Sequence, residues 1–314
     1  MAARGNENYT QLVKQLSAEL GFSYCGISTA TELTEEAHQL EKWLSKGMHG
    51  AMGYMAEHFD KRIDPRKLVP GARSVISLMY NYYPEKTLDD EGNYHISKYA
   101  YGEDYHTVIK EILYQLLERL KENIGDINAR VFVDSAPVLE KAWAKRSGIG
   151  WQGKNTNIIH PKSGSFFFLA EIISDLDLIP DGPIKDHCGT CTACIDACPT
   201  EALTPCHIDA TKCISYLTIE LRDAIPLSFA GKMNNWMYGC DICQDVCPWN
   251  IKFEKPTREA RFVPRLGNIN LALETWKNLT EEDFRLRFRK TAVKRAKFTG
   301  LRRNIQAAQE RKAY

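Results

Sequence analysis

Residues 188–199 read Cys-Gly-Thr-Cys-Thr-Ala-Cys-Ile-Asp-Ala-Cys-Pro, and residues 240–248 read Cys-Asp-Ile-Cys-Gln-Asp-Val-Cys-Pro, with Cys213 standing alone between them. The first stretch is C-x2-C-x2-C-x3-C-P. The second is its incomplete copy, with Cys213 in the place of the missing leading cysteine. This spacing belongs to thiolates that hold a pair of [4Fe–4S] clusters, in which the last cysteine of each run serves the other cluster. One cluster is therefore assigned to Cys188, Cys191, Cys194 and Cys247. The other is assigned to Cys213, Cys240, Cys243 and Cys198. Zinc also takes four thiolates, but its sites rarely use three cysteines at intervals of three followed by a fourth and a proline. Disulfides suit small secreted chains, whereas this one has 314 residues and no secretory leader pattern at its start. Two clusters imply one-electron traffic and a redox function. Of the two remaining cysteines, Cys25 lies in an apolar context and reads as a buried thiol, and Cys206 is unassigned.

Working outward, the length allows roughly two domains. With 41 basic and 40 acidic residues the chain is near neutral, so overall charge selects no partner. No apolar run approaches the roughly 18 residues of a membrane span. The longest candidate, Ser165 to Ile173, is interrupted by Glu171 and fits a buried strand. A cytoplasmic, membrane-free protein is expected, and a monomer. The charge is uneven, however: from Arg285 to Lys312 there are eleven Lys or Arg and one acid, Glu310. Such a tail is an electrostatic footprint for nucleic acid or an anionic membrane. The apolar positions Leu286, Val293, Ala296 and Leu301 predict that it folds against the rest of the protein with its charge outward.

Upstream, periodicity predicts helices over 7–20, 34–46, 104–122 and 137–146, the last with proline in its first turn, and strands over 74–80 and 129–134. A hairpin is expected between 157–160 and 166–174 around Pro161–Gly164. Residues 85–97 read as polar turns. Strands and helices mix without a regular βαβ repeat, so the fold class is α+β, with a ferredoxin-like module behind. The boundaries are 1–178, 179–252 and a basic helical tail at 253–314.

Gly148-Ile149-Gly150-Trp151-Gln152-Gly153 matches the dinucleotide pattern G-x-G-x-x-G, but a helix precedes it and a strand follows, the reverse of what such a site needs. The loop can still let backbone approach another large ligand. Asp134 ends an apolar strand. It reads equally as a general acid with a raised pKa or as a cap on the next helix.

Val133-Asp134-Ser135-Ala136-Pro137, the 148–156 loop, the double cysteine run, Cys213-Ile214-Ser215-Tyr216-Leu217-Thr218-Ile219-Glu220 and residues 238–250 together resemble the epoxyqueuosine reductases, over about residues 10 to 300. The resemblance implies a domain similar to flavin nitroreductases that binds cobalamin, followed by a two-cluster ferredoxin module, a cofactor set shared with reductive dehalogenases. It implies reduction of epoxyqueuosine to queuosine at the wobble position of a tRNA, with Asp134 as proton donor and an external flavodoxin or ferredoxin supplying electrons. Asp104-Tyr105-His106 has only the first half of the Asp-x-His-x-x-Gly cobalamin motif, and His106 reads as a surface or capping residue. A base-off cobalamin without a histidine ligand is therefore expected. Family-matched segments make Glu57, Ser97, Asn155, Ile158, Leu169, Ser215, Cys240 and Asp241 the candidate cobalamin contacts. The basic tail then has the anticodon arm as its partner, and Arg222 is a candidate contact whose plain alternative is a surface salt bridge. Many family members continue into helical repeats, and Gly300-Leu301-Arg302-Arg303-Asn304 resembles the opening of one. Two other functions compete. A reductive dehalogenase would need no basic tail, and an electron carrier would need no 180-residue N-terminal part.

Overall fold

The computed structural model describes residues 2–86 and 93–309. Part of the expected turn region 85–97, and the tail's last residues including Glu310 and Lys312, lie outside the described residues.

A four-stranded antiparallel sheet organises the N-terminal half. Its strands are β1 (Tyr24–Thr29), β2 (Ser74–Asn81), β3 (Ala129–Phe132) and β4 (Phe167–Ser174), in the spatial order β1-β2-β4-β3. The central β2 is buried on both faces through seven of its eight residues. That explains why Val75 to Tyr80 is apolar on both faces, broken only by Ser77, rather than alternating. On one face lie α1 (Ala2–Glu19) and α3 (Tyr105–Ile124). The apolar stripe of α3, Val108, Ile109, Ile112, Leu113, Leu116, Leu117 and Leu120, packs there with Val13, Leu16, Ile76 and Ile172. Asp104 caps α3 by accepting the His106 N–H, and Gly125 stops it at φ 105°. The other face is covered by α4 (Glu140–Arg146), whose Trp143 packs with Val75, Phe132 and Ile173. The expected α+β arrangement is thus a sheet between two helical layers.

Three local expectations are corrected. α4 begins at Glu140, not Pro137, because Ser135 to Leu139 form a tight turn held by Ser135 N–H to the Val133 carbonyl and Val138 N–H to the Ala136 carbonyl. The expected hairpin shrinks to a single bridge between His160 and Gly164, without pairing of 157–160 to 166–174. Ile158–Ile159 pairs with Trp151–Gln152 instead, while β4 pairs with β2 and β3. Asn250 occupies the space beside Gly164. A Cβ on Gly164 would lie 2.1 Å from Asn250 Oδ1, and that oxygen accepts the Ser165 N–H. Finally, β1 had no expected counterpart, its six residues holding Gly26 and Cys25 in a weakly patterned stretch.

The cysteine module has little regular structure, with helices of four residues at Ala193–Asp196 and Ile242–Asp245. It is joined to the sheet domain by buried polar groups. Asn250 Nδ2 donates to Ser165 Oγ and the Gln244 carbonyl, Gln244 Nε2 donates to the Ser165 carbonyl, and Asn155 Nδ2 donates to the Cys243 carbonyl. The tail folds back over the strand pair His95–Ile96 and Trp236–Tyr238, burying Trp276, Phe284, Phe288, Val293, Ala296, Leu301 and Ile305. Leu286 departs from the expected inward stripe and is exposed. Among the described residues no helix is long and apolar enough to cross a membrane.

Candidate active site

A cleft of about 1570 Å³ opens between α2 (Thr34–Ser45), the start of α3, the turn before α4, the segment around Ser215 and the tail at Lys294 and Arg295. Its volume exceeds the roughly 300–1,000 Å³ of an ordinary small-molecule pocket. Asp134 stands in its wall. The residue lies beyond the end of β3, in the left-handed region at φ 51°, a conformation that costs a non-glycine residue on the order of 1–3 kcal/mol and that tends to mark functional turns. Its N–H donates to Glu140 Oε1 at 2.5 Å. Its side chain is 58% exposed, open to the cleft rather than to the outer surface.

Two groups converge on the Asp134 carboxylate, and a line of charges runs on behind them. The Tyr105 hydroxyl donates a short hydrogen bond to Oδ2. His106 Nε2 lies 3.4 Å from the same oxygen, while His106 Nδ1 is 2.8 Å from Asp104 Oδ1. Lys294 Nζ closes the line, 2.7 Å from Asp104 Oδ2. Crowding by the cleft walls pushes the Asp134 pKa up, as expected from its position, but the bonds from His106 and Tyr105 and the charges of His106 and Lys141 outweigh it, leaving the group below its ordinary value. The expected raised pKa is therefore corrected for this state of the cleft. His106, partly desolvated but held by Asp104 and Asp134, is raised to about 9 and is cationic at neutral pH. It is thus no mere surface or capping residue. Burial, then the Asp134 charge, push the Tyr105 hydroxyl well above its usual range.

Glu57 and Ser215 also line the cleft. The other candidate contacts sit behind its wall. Ser97 Oγ donates to Asp241, which also accepts the Lys98 N–H at 2.7 Å. Ile158 packs with Met79, Ala144 and Ile149, and Leu169 lies against that group. Asn155 is buried, and Cys240 packs beside Ile214, Leu217 and Trp236. Arg222 is exposed and donates to the Arg295 carbonyl, while the ion pair nearby is Glu220 with Arg295.

All ten cysteines are free. Cys194 is raised by burial and then by the charges of Cys247, Cys188 and Cys191. Cys243 is raised by burial and then by Cys213, Asp241, Cys194 and Cys198, and Cys240 by burial and by Cys213 and Cys243. Cys194 thus has Cys247, Cys188 and Cys191 as electrostatic neighbours, and Cys243 has Cys213, Cys194 and Cys198. Among the described residues no three His, Cys, Asp or Glu side chains converge as on a single ion. Two sets of four soft sulfur donors fit iron–sulfur clusters. The first set lines a separate cavity of about 340 Å³ with Lys154, His187, Trp249 and Lys252. From the second set, Cys213 opens on the large cleft. The glycines of 148–153 serve packing: a Cβ on Gly148, at φ 74°, would lie 2.2 Å from the Gly182 carbonyl. Periodicity had no means of finding Tyr105, His106 and Glu140. The available signal was Asp104-Tyr105-His106 at a helix start near a strand-end acid.

Two family models match: "Epoxyqueuosine reductase QueG, DUF1730" over residues 62–135 and "4Fe-4S double cluster binding domain" over 187–250. The chain is 59% identical to the epoxyqueuosine reductase of Leadbetterella byssophila over 304 residues, covering 96% of this chain and 99% of that one. It is 46% identical to that of Pseudomonas aeruginosa, covering 94% and 83%. Among solved structures, an epoxyqueuosine reductase with an epoxyqueuosine-modified tRNA-Tyr stem loop superposes with a TM-score of 0.87 at 30% identity, over 96% of this chain and 81% of that one. Another, from Bacillus subtilis and described with its aspartate catalytic loop swung out of the active site, superposes with a TM-score of 0.87 at 30% identity, over 96% and 82%. On these likenesses, spanning nearly its whole length, the chain belongs to the epoxyqueuosine reductase family.

Proposed function

We propose that this protein reduces epoxyqueuosine to queuosine at the wobble position of a tRNA, using cobalamin and two [4Fe–4S] clusters. One observation carries the reading: Asp134, a carboxylate backed by the His106 imidazolium, and Cys213, a cysteine assigned to the second cluster, open on the same large cleft. Removing an epoxide oxygen as water and leaving an alkene consumes two electrons and two protons, so a proton source and an electron port must share one chamber. The cleft's volume and its lining of Glu57, Tyr54, Trp43, Ser215 and Tyr216 suit a corrin. When bound, cobalamin supplies a low-potential metal that collects single electrons and delivers them to carbon. Both ring nitrogens of His106 are engaged by Asp104 and Asp134, so this histidine would not be free to serve as a ligand to a bound cobalamin.

The chain's own residues supply protons and position. Asp134 protonates the opening oxygen. Its carboxylate is ionised in the open cleft, and displacement of the remaining water by cofactor and base strengthens the desolvation that favours its protonated form. The His106 imidazolium, held by Asp104, whose other oxygen pairs with Lys294, restores that proton and stabilises the carboxylate once it has given it up. Tyr105 fixes the carboxyl's orientation.

Electrons enter at the cavity of Cys188, Cys191, Cys194 and Cys247, where Trp249 and Lys252 offer an apolar and cationic surface to a flavodoxin or ferredoxin. The second cysteine set, with Cys213 on the cleft, would when loaded pass them on to it. The division of labour is 1–178 for cofactor and chemistry, 179–252 for the clusters and 253–314 for the anticodon arm. Exposed Arg285, Arg289, Lys290 and Arg302 of the tail, with Arg222 and Arg295 near the cleft, suit phosphates. The modified base leaves its stack to enter. A cytoplasmic monomer fits this role.

The test is anaerobic reconstitution with iron, sulfide and cobalamin, followed by turnover of epoxyqueuosine tRNA and nucleoside analysis. About eight iron per chain, as two [4Fe–4S] clusters require, with one equivalent of retained cobalt and queuosine formed, is the expected result. Eight iron with no retained cobalamin and no queuosine would sink the reading.

A further inference from the structure

Glu171 stands in the middle of β4, fully buried, on the face covered by α4. Its cross-strand neighbours on that face are Ser77 of β2 and Phe132 of β3, with Gly26 of β1 beyond Ser77. Neither of its carboxylate oxygens receives a hydrogen bond from a described donor, and the Ser77 hydroxyl is without a partner too. The group in contact with it is the carboxyl of Glu140, from the first turn of α4. Two carboxylates are acceptors only. In contact inside a protein they bond when one keeps a proton, because like charges so close do not both ionise.

Glu140 has a second contact. Its Oε1 accepts the N–H of Asp134, the residue held at φ 51°. The carboxyl pair therefore sits directly beneath the turn that presents the proton donor to the cleft. Loss of the pair's proton would set a second negative charge within the pair and beside Asp134, whose charge already opposes both glutamates.

We propose that Glu140 and Glu171 share one proton and act as positioning residues, a latch that holds the Asp134 turn in its working conformation and releases it when that proton is lost. This rests on the reading of Asp134 as proton donor. The charged and titratable groups facing the pair are few. From the turn comes Asp134, whose negative charge raises both glutamates, and from α3 come His106, which lowers Glu140, and Tyr105. Lys141 follows Glu140 on α4 and faces the cleft. β1 and β2 contribute Gly26 and Ser77, and β3 contributes Phe132, with Arg130 turned out to the Leu68 carbonyl. No described cation pairs with Glu171. Burial, then the Asp134 charge, lift Glu140 to about 8, and Glu171 is pushed well above its ordinary value by burial and by Glu140. Release therefore falls on the alkaline side of neutrality.

The experiment follows amide exchange of the segment 133–139 by mass spectrometry in the cluster-loaded full chain, corrected for intrinsic base catalysis, from pH 6 to 9. The pH dependence of kcat is measured in parallel. Wild type should protect the segment below pH 8 and lose protection by about tenfold above it, one hydrogen bond's worth. Glu171→Gln leaves an amide donor to Glu140 and removes the shared proton, so protection and kcat should lose their alkaline fall while KM for tRNA stays unchanged. Should that variant fail to fold, Glu140→Gln keeps an acceptor for the Asp134 N–H and should flatten the same profile. Glu140→Ala should expose the segment at every pH. A pH-independent segment in wild type, or an alkaline fall unchanged in either glutamine variant, overturns the latch. Exchange is read without turnover, so the latch can hold even if Asp134→Asn remains active and the proton-donor reading fails.

Discussion

The cysteine module and the cleft domain hold their shape by opposite means. Between residues 188 and 247 the helices are four to six residues long, and the ligands come from two short runs and one lone cysteine. The cleft domain rests on two eight-residue strands and a twenty-residue helix around an apolar core, and its working groups are gathered from positions 104–106, 134, 140 and 171. The first is a chain arranged around its metal. The second is a scaffold on which a few polar groups are placed at the edges and, at Glu171, in the interior. Chemistry that the metal organises is written locally along the chain. Chemistry that a fold organises is scattered along it.

That contrast can be broken in order of effect. Cys240→Ser removes a ligand of the cluster assigned beside the cleft. Turnover should fall to background with iron per chain reduced by about half, one of two four-iron clusters, and the far-ultraviolet dichroism of the sheet domain should persist. Retained turnover would show that the cleft does not depend on that cluster. Asp134→Asn should lower kcat by about 10²–10⁴, the usual contribution of a positioned acid, while iron content and tRNA affinity hold. An unchanged kcat would remove Asp134 from the chemistry. At the seam, Asn250→Ala leaves the Ser165 N–H and the Gln244 carbonyl without their partner. A loss of about 1–3 kcal/mol in chemical denaturation is expected for such buried groups, and a neutral result would mean that the two regions are not mechanically joined there.

The smallest effect is a slope. His106 is raised from 6.5 to about 9, so its folded form binds a proton that its unfolded form has released. Its stabilising contribution is complete below pH 6.5 and is lost as pH rises through about 9. Wild type should therefore lose stability relative to His106→Gln across that window in parallel melts. Superimposable curves would detach His106 from Asp104 and Asp134.

Legibility followed the same division. The double-cluster module could be read from spacing because ligands must recur at intervals the metal sets. The core face of α3 was equally plain, since Val108 to Leu120 repeat at helical spacing. β4 was misplaced in a hairpin because its true partners, β2 and β3, are separated from it by up to a hundred residues, and nothing local records that pairing. Glu171 was visible as a break in an apolar run. Its meaning was not, because the Glu140 carboxyl that meets it arrives from a helix whose start lay three residues later than Pro137 suggested. Asp134 could be singled out, but the sign of its pKa required Tyr105 and His106.

The seam at Ser165 has a consequence for maturation. Asn250 follows Cys247 by three residues, and its amide fills the space that Gly164 leaves at the entry to β4. A chain that has not received its iron lacks the restraint that places Cys247, and with it the peg that seats one end of the central sheet. Cluster assembly at Cys247 and the seating of that sheet edge would then be mechanically joined. In an iron-starved cell the quantity of finished enzyme, rather than its rate, would be what declines.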